Sequence, residues 1–485
     1  MNKDDVLGDG SVKYEPGDGV GILTFTGNKL TAPDNKFVIT AQGVDLVINA
    51  PEDGLTLESQ YGIDMRGNNL TVNGDITFKT EFNPVYSCAD FIVNGDLTAS
   101  NINVQNGTII VNGNTKMTAD TYSTCLSATS VVLNGAKHEL SGGACIRATN
   151  VTIAGDLTAT ASGDCAIWAN DNLTVASGTW TVSAKSTAIR SGKKFTIPDT
   201  HGIKTPVLGK IIQTSSYLTV WNPNTSEYNP GGAKEVEIVD YPCLYLSEYE
   251  YCSSQLSAAD GQEGTVAIVR NIKKNGWNTF AAPIAITDLE GTFGQGVKVK
   301  QLTGSSLIGG TLKLTFTDAD RIEPGKPYLV RVKEAVNLKS HVFEGVTISK
   351  DIVPTVTDAV DLVPTLGRTT VEGDNPKSVM VFYDDYYGLV FAQELPALMN
   401  GFRAYFRLKD PDAVRSISMS LDDDGGATLV NSVGVRSTSG RLLPEGRKNS
   451  EQLADEWYTV DGRKLSGQPT AKGVYINKGK KTIIK

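Results

Sequence analysis

Val72-Asn73-Gly74-Asp75-Ile76-Thr77 recurs as Val93-Asn94-Gly95-Asp96-Leu97-Thr98, and again as Ile153-Ala154-Gly155-Asp156-Leu157-Thr158. Two shorter copies lie between, Val111-Asn112-Gly113 and Leu133-Asn134-Gly135. Their glycines are spaced by 21, 18, 22 and 20 residues. A second column runs through Ile63, Tyr86, Ile102, Leu126, Ile146, Ile167 and Ile189 at nearly the same step. Around it the text reads apolar, any residue, small: Leu126-Ser127-Ala128, Ile146-Arg147-Ala148, Ile167-Trp168-Ala169, Ile189-Arg190-Ser191. Alternation at period two is a strand with every second side chain facing inward. A unit this short, made of strands without a helix, cannot bury its own core, but stacked copies can. Residues 1–205 are therefore predicted to form a parallel β-solenoid (β-helix). The L-x-x-L-x-L frame of leucine-rich repeats, which share the period, is absent. Asn-Gly and Gly-Asp corners suit positive φ. Each coil advances ~4.8 Å, so the seven coils of the column make a rod of roughly 35 Å.

Further residues fall on this register. Cys125 and Cys145 each sit one place before the apolar column, Cys165 is displaced by one, and Cys88 takes the small inward position. Because the positions do not match, small buried fillers are expected rather than a disulfide or metal ladder. Asn73, Asn94, Asn112 and Asn134 form a ladder assigned to turn chemistry. Asp75 and Asp96 would stack as like charges in adjacent coils. A bound Ca²⁺ would relieve that repulsion, which makes the pair a weak Ca²⁺ candidate. Arg147, Trp168 and Arg190 each follow an inward Ile, at steps of 21 and 22, so they should point outward on successive coils. An exposed ring between two guanidiniums suits a sugar, whose CH groups lie on the ring while its hydroxyls accept hydrogen bonds. The same three residues could equally form a cation–π stack that only stabilises the surface, or lie under the neighbouring connector.

The repeat fades after Pro198. Residues 206–264, with the loop-like text WNPNTSEYNPGG, are read as the solenoid's end and a connector covering its open edge. From residue 265 to 425 short alternating strands recur, among them Leu312–Phe316 and Tyr328–Val332, with turns such as Glu323-Pro324-Gly325-Lys326-Pro327 between them. This is the pattern of an antiparallel β-sandwich. The stretch SGRLLPEGRKNSEQ marks a linker at 426–454, and 455–485 reads as a small C-terminal β unit with a basic end.

Asn275-Gly276-Trp277-Asn278-Thr279, Pro324-Gly325-Lys326-Pro327-Tyr328-Leu329-Val330 and Gly401-Phe402-Arg403-Ala404-Tyr405-Phe406 together resemble a β-sandwich module near the C-terminus of secreted and surface proteins of the Bacteroidota. Trp457-Tyr458-Thr459-Val460-Asp461-Gly462-Arg463-Lys464-Leu465, Lys472-Gly473-Val474-Tyr475-Ile476 and Gly479-Lys480-Lys481 resemble the type IX secretion sorting tail of those proteins. The N-terminal repeats are similar to β-helical carbohydrate-binding and adhesin-like modules. The resemblance implies export to the medium or the outer cell surface. The opening MNKDDVLGDG has no apolar signal core, and the expectation is that a signal peptide has been removed.

Composition narrows the function further. The 485 residues carry 45 basic and 54 acidic side chains, a net charge of −9. With the basic residues scattered, nucleic acid is not an expected partner. No apolar run is long enough to be a transmembrane segment. Three isolated histidines, His138, His201 and His341, offer no Ser-His-Asp set, and no cysteine pair has zinc spacing. Gly304–Gly310 lacks the Lys-Ser/Thr of a phosphate loop and is read as a turn. The acidic runs Asp384-Asp385 and Asp422-Asp423-Asp424 read as solvated loops. The expectation is a non-catalytic surface binding or adhesion protein for a polysaccharide or surface glycan, with no catalytic residue and no cofactor beyond the Ca²⁺ candidate. Two other classes stay open: a β-helical polysaccharide lyase or glycoside hydrolase, which needs a facing pair of carboxylates or an acid cluster, and a structural stalk or spacer. The oligomeric state stays open too.

Overall fold

The computed structural model describes residues 3–33, 35–207, 209–221, 232–274, 276–383 and 388–421, then Leu465 and the strand backbones Ala427–Val430, Trp457–Thr459, Gly473–Asn477 and Lys480–Ile484. Most of WNPNTSEYNPGG, Asn275, both acidic runs, most of the linker and much of the tail motif lie outside the described residues, and the linker's start, Ala427–Val430, is instead a strand paired with Ser416–Ser420.

The chain is all-β and begins with a parallel β-solenoid of about 11 turns. One sheet runs through Val20–Phe25, Asp45–Asn49, Leu70–Asn73, Phe91–Asn94 and Thr108–Val111 into the long strands Thr124–Leu133, Ala144–Ile153 and Cys165–Val175. A second stacks Lys29–Thr31 through Leu55–Ser59, Ile76–Thr80, Leu97–Ala99, Thr115–Thr118, Lys137–Gly142 and Asp156–Ala161 to Trp180–Ser183. A short third sheet, Phe37–Thr40, Tyr61–Asp64 and Val85–Tyr86, closes the early coils. Inside, Leu126, Ile146, Ile167 and Ile189 pair in register and are fully buried, as the repeat predicts. The rod has more turns than the seven expected. Its first coils, such as Val20–Phe25 on Asp45–Asn49, stack without the Asn-Gly signature. Inward apolar alternation alone is enough to stack them.

The corners show why the repeat keeps its glycines. A Cβ on Gly95 would lie 2.4 Å from the Gly74 carbonyl carbon, and one on Gly135 would lie 2.1 Å from the Gly113 oxygen. Gly155 and Gly178 stack likewise on the glycine one coil below. Positive φ holds at Gly74, Gly155 and Gly178 but not at Gly95, Gly113 or Gly135, so the common requirement is backbone-on-backbone approach rather than turn handedness. The asparagines do more than turn. Asn73 Nδ2 donates to Asn49 Oδ1 at 2.9 Å, Asn94 to Asn73 at 2.8 Å, Asn112 to Asn94 at 2.7 Å and Asn134 to Asn112 at 2.8 Å. Each amide has both a donor and an acceptor, so one chain of bonds can climb the stack indefinitely.

Both ends of the solenoid are covered. Val12–Pro16 pairs antiparallel with the first coil at Val20–Phe25. At the other end Leu218–Trp221 pairs antiparallel beside Ser191, and Glu235–Val239 pairs antiparallel with Trp180–Ser183. Segment 206–264, loop-like by its Tyr and Asn content, thus contributes edge strands and the helix Ser253–Ala258. Such strands are ordered by the unpaired amides of the sheet they join, so they need no alternation of their own.

Sandwich-like antiparallel sheets follow. One orders Asn278–Phe280, Tyr328–Arg331, Lys298–Ile308, Thr311–Asp318, Ser416–Ser420 and Ala427–Val430, antiparallel except where Thr311–Asp318 pairs parallel with Ser416–Ser420. Another orders Thr355–Val356, Val360–Thr365, Arg403–Leu408, Val379–Tyr383 and Gly388–Phe391. They share a core in which Leu312, Leu314 and Leu329 meet Leu362, Met380 and Phe406. The Gly304–Gly310 stretch is a turn only at Gly309-Gly310, both at positive φ. Gly304 marks a register shift within the strand Lys298–Ile308. The tail forms an antiparallel sheet of its own, Trp457–Thr459, Gly473–Asn477 and Lys480–Ile484.

Candidate functional site

The three outward residues of the late coils meet as the register requires. Arg147 pairs with Trp168, and Trp168 with Arg190, on adjacent parallel strands. Neighbouring strands set these side chains ~4.8 Å apart, close enough for a guanidinium to stack on the indole. Arg147 Cζ lies 5.8 Å from the centre of the Trp168 ring and Arg190 Cζ lies 5.4 Å from it on the other side of the stack. Trp168 is 38% exposed although its neighbours Ile167 and Ala169 are fully buried. Arg147 is exposed and Arg190 half-buried.

The sequence does not reveal the fourth member. Tyr217, just before the capping strand Leu218–Trp221, places its ring 4.7 Å from Arg190 Cζ. The connector therefore covers Arg190 and leaves Trp168 open. Tyr217 follows no repeat position, and only the antiparallel pairing of that strand beside Ser191 brings it there. The strip reads Arg, Trp, Arg, Tyr, an alternation of planar cations and rings. Among the described residues neither guanidinium has a carboxylate partner. Asp171, at the edge of the same coils, is held by Lys193 at 2.7 Å.

The Ca²⁺ candidates are placed differently from a cation site. Asp75 Oδ1 accepts from the Asp96 amide at 2.8 Å, and Asp96 Oδ1 from the Asn114 amide at 2.6 Å. Asp96 Oδ2 also accepts from Asn114 Nδ2 at 3.2 Å. Each carboxylate thus ties its corner to the next coil, and backbone dipoles offset the charge. Ca²⁺ takes six to eight oxygens, and among the described residues no three His, Cys, Asp or Glu side chains converge. The residues present do not fit the ion. Asp156 repeats the arrangement at the next signature corner, where the Thr179 amide holds its carboxyl below the usual range.

All six cysteines are free thiols, and five are buried. Cys125 and Cys145 lie between the in-register pairs Thr124–Ala144 and Leu126–Ile146, Cys125 Sγ donating to the Ser141 oxygen at 3.1 Å and Cys145 Sγ to the Leu140 oxygen at 3.5 Å. The neighbouring thiol lowers that of Cys125, and with burial it raises that of Cys145. Burial pushes Cys88 up to about 12 and Cys165 to about 11. Such thiols are packing groups rather than nucleophiles. His138 faces the solenoid interior, fully buried, with Nε2 2.9 Å from the Ala154 oxygen. His201 and His341 lie far along the chain from it. Among the described residues no helix is long and apolar enough to cross a membrane. Comparison with family models, with curated proteins and with solved structures finds no match to this chain.

Proposed function

We propose that this chain is a non-catalytic binding protein of the secreted or outer-surface class that holds a glycan on the Arg147–Trp168–Arg190 strip. The observation that carries the reading is the exposed Trp168 ring set between two guanidiniums that have no carboxylate partner among the described residues. An indole face takes the CH face of a sugar, and flanking donors take its oxygens. The rigid solenoid holds these groups at fixed spacing, so binding needs little ordering. The corner acids Asp75, Asp96 and Asp156 are engaged with backbone amides, which favours binding over a lyase or hydrolase role. The resemblance to exported Bacteroidota proteins supports the location.

Affinity electrophoresis against a broad polysaccharide panel tests the reading. Wild type is retarded by at least one glycan, and Trp168→Ala abolishes the retardation while keeping a cooperative melting transition, lowered only by the loss of its two cation–π contacts. Equal retardation of the variant overturns the assignment of the strip. Release of reducing or unsaturated sugars overturns the non-catalytic reading. No retardation by any glycan leaves the stalk role.

A further inference from the structure

A second cluster of rings lies on the outside of the first coils. Phe37 and Tyr61 sit in register with centroids 5.4 Å apart. Tyr86 meets Phe37 edge-on at 5.1 Å, and Phe82 stacks on Tyr61 at 5.1 Å. None of the four belongs to the solenoid core, although their neighbours Val38, Ile39, Ile63 and Val85 pack into it. Phe82 is 43% exposed. Four aromatic side chains gathered outside a core that could have buried them make a platform, a surface type that usually marks a binding site.

The platform shares its face with the strip. Tyr86 follows inward Val85, as Trp168 follows inward Ile167. The strand Val85–Tyr86 lies against Ile102–Asn103. Asn103 pairs with Ser127, Ser127 with Arg147, and Arg147 with Trp168. One outward column thus runs Asn103, Ser127, Arg147, Trp168, Arg190, and the strand that carries Tyr86, the edge of the third sheet, lies next to its Asn103 end. Four coil steps separate Tyr86 from Trp168, ~19 Å along the axis. The two side chains between the aromatic end and the first guanidinium, Asn103 and Ser127, are short and polar. They leave a low floor with hydrogen-bonding groups between two raised ends. The rise per coil is close to the length of one sugar in an extended chain, so successive sugars meet successive coils.

We infer that this column binds one extended anionic polysaccharide lengthwise, with the Phe37–Tyr61–Phe82–Tyr86 platform stacking one end and Arg147 and Arg190 taking carboxylate or sulfate groups at the other. The inference rests on the reading of the strip as a glycan site. Charge complementarity selects the ligand: on a chain of net charge −9, the two guanidiniums of the strip have no carboxylate partner among the described residues. A guanidinium binds a carboxylate or sulfate through paired N–H donors, an interaction that a neutral sugar does not offer.

Calorimetric titration of the full chain tests this with four probes: a mannuronate oligomer of about eight sugars, the mannuronate disaccharide, a β-mannan oligomer of equal length, and a sulfated galactan oligomer of equal length. The span of ~19 Å plus the two ends sets that length. At least one long anionic oligomer is expected to bind about tenfold or more tightly than both the disaccharide and the neutral oligomer. A carboxylate ligand is indicated if mannuronate leads, and a sulfate ligand if the galactan leads. The double variant Phe82→Ala/Tyr86→Ala should weaken the long anionic oligomer by about tenfold, about 1.4 kcal/mol, and leave the disaccharide unchanged. Trp168→Ala should weaken both. If Trp168→Ala weakens binding while Phe82→Ala/Tyr86→Ala does not, the lengthwise mode is overturned and the strip assignment stands. Equal affinity for the mannan overturns the anionic choice. If Trp168→Ala changes nothing, both readings fall. The double variant's melting curve guards against misfolding. Should it shift, Tyr86→Leu and Phe82→Leu, which remove the rings but keep apolar bulk, replace it under the same criteria.

Discussion

The guanidinium of Arg190 lies between two rings, 5.4 Å from the centre of Trp168 and 4.7 Å from that of Tyr217. One ring belongs to the neighbouring coil and the other to the segment before the strand that caps the solenoid's end. Arg190 therefore joins the repeat to its cap. Arg190→Ala should lower unfolding stability by about 1 kcal/mol, the scale of two partly exposed cation–π contacts. Urea denaturation measures it. Arg147→Ala, with one ring and more exposure, should cost less, and an equal or larger loss would show that the cap contact is not what matters.

The stacked corner glycines make a sharp contrast. Gly135→Ala puts a Cβ 2.1 Å from the Gly113 oxygen, a backbone atom with nowhere to move. It should cost about 1–3 kcal/mol or more. At Gly304 a Cβ would find its nearest neighbour 4.0 Å away, and its φ is not positive. Gly304→Ala should stay within about 0.5 kcal/mol of wild type. Thermal melts of the two variants side by side decide the matter.

Ile146 is fully buried between Leu126 and Ile167. Ile146→Asp leaves a charge without a partner in the solenoid interior, and the solenoid should fail to fold. Ile146→Val removes one methylene and should cost about 0.5–1.5 kcal/mol. A melting curve of Ile146→Asp that matches wild type would mean that the column is not the core.

Burial holds the His138 imidazole below its ordinary pKa of 6.5. The folded state thus takes up its proton at lower pH than the unfolded chain does. Stability from the neutral ring is complete above about pH 6.5 and declines as the pH falls below it, until the folded protein also binds the proton. The lowered carboxylates Asp156 and Glu58 act in a more acidic range, so the region from about pH 6.5 to 5 isolates the histidine. Denaturation midpoints across that range should fall for wild type and stay flat for His138→Leu. Parallel slopes would assign the acid sensitivity elsewhere.

The tail strands from Trp457 to Ile484 form their own antiparallel sheet. Removing residues 455–485 should leave the main melting transition of the remaining chain in place and should prevent display on the native host cell. Surface labelling of cells carrying the truncated protein checks it, and normal display would end the sorting-tail reading.

The sequence by itself determined the solenoid, its inward column except at Tyr86, whose place beside Ile63 is taken by Val85, and the outward alignment of Arg147, Trp168 and Arg190. A strand repeat has only two side-chain directions and one axial step, so spacing fixes both neighbour and face. It also marked the sandwich strands, because antiparallel strands with one wet face alternate visibly. What only the tertiary structure decided is whatever depends on a partner outside the repeat. Tyr217 reaches Arg190 because an edge strand follows the open amides of the last coil. Asp75 and Asp96 serve neighbouring amides, because a corner carboxylate finds the next coil's N–H at hydrogen-bond distance. Phe37 and Tyr61 meet because their parallel strands pair in register, Tyr86 points out beside inward Val85, and the bend before Val85–Tyr86 lays Phe82 on Tyr61, where no periodicity predicts it.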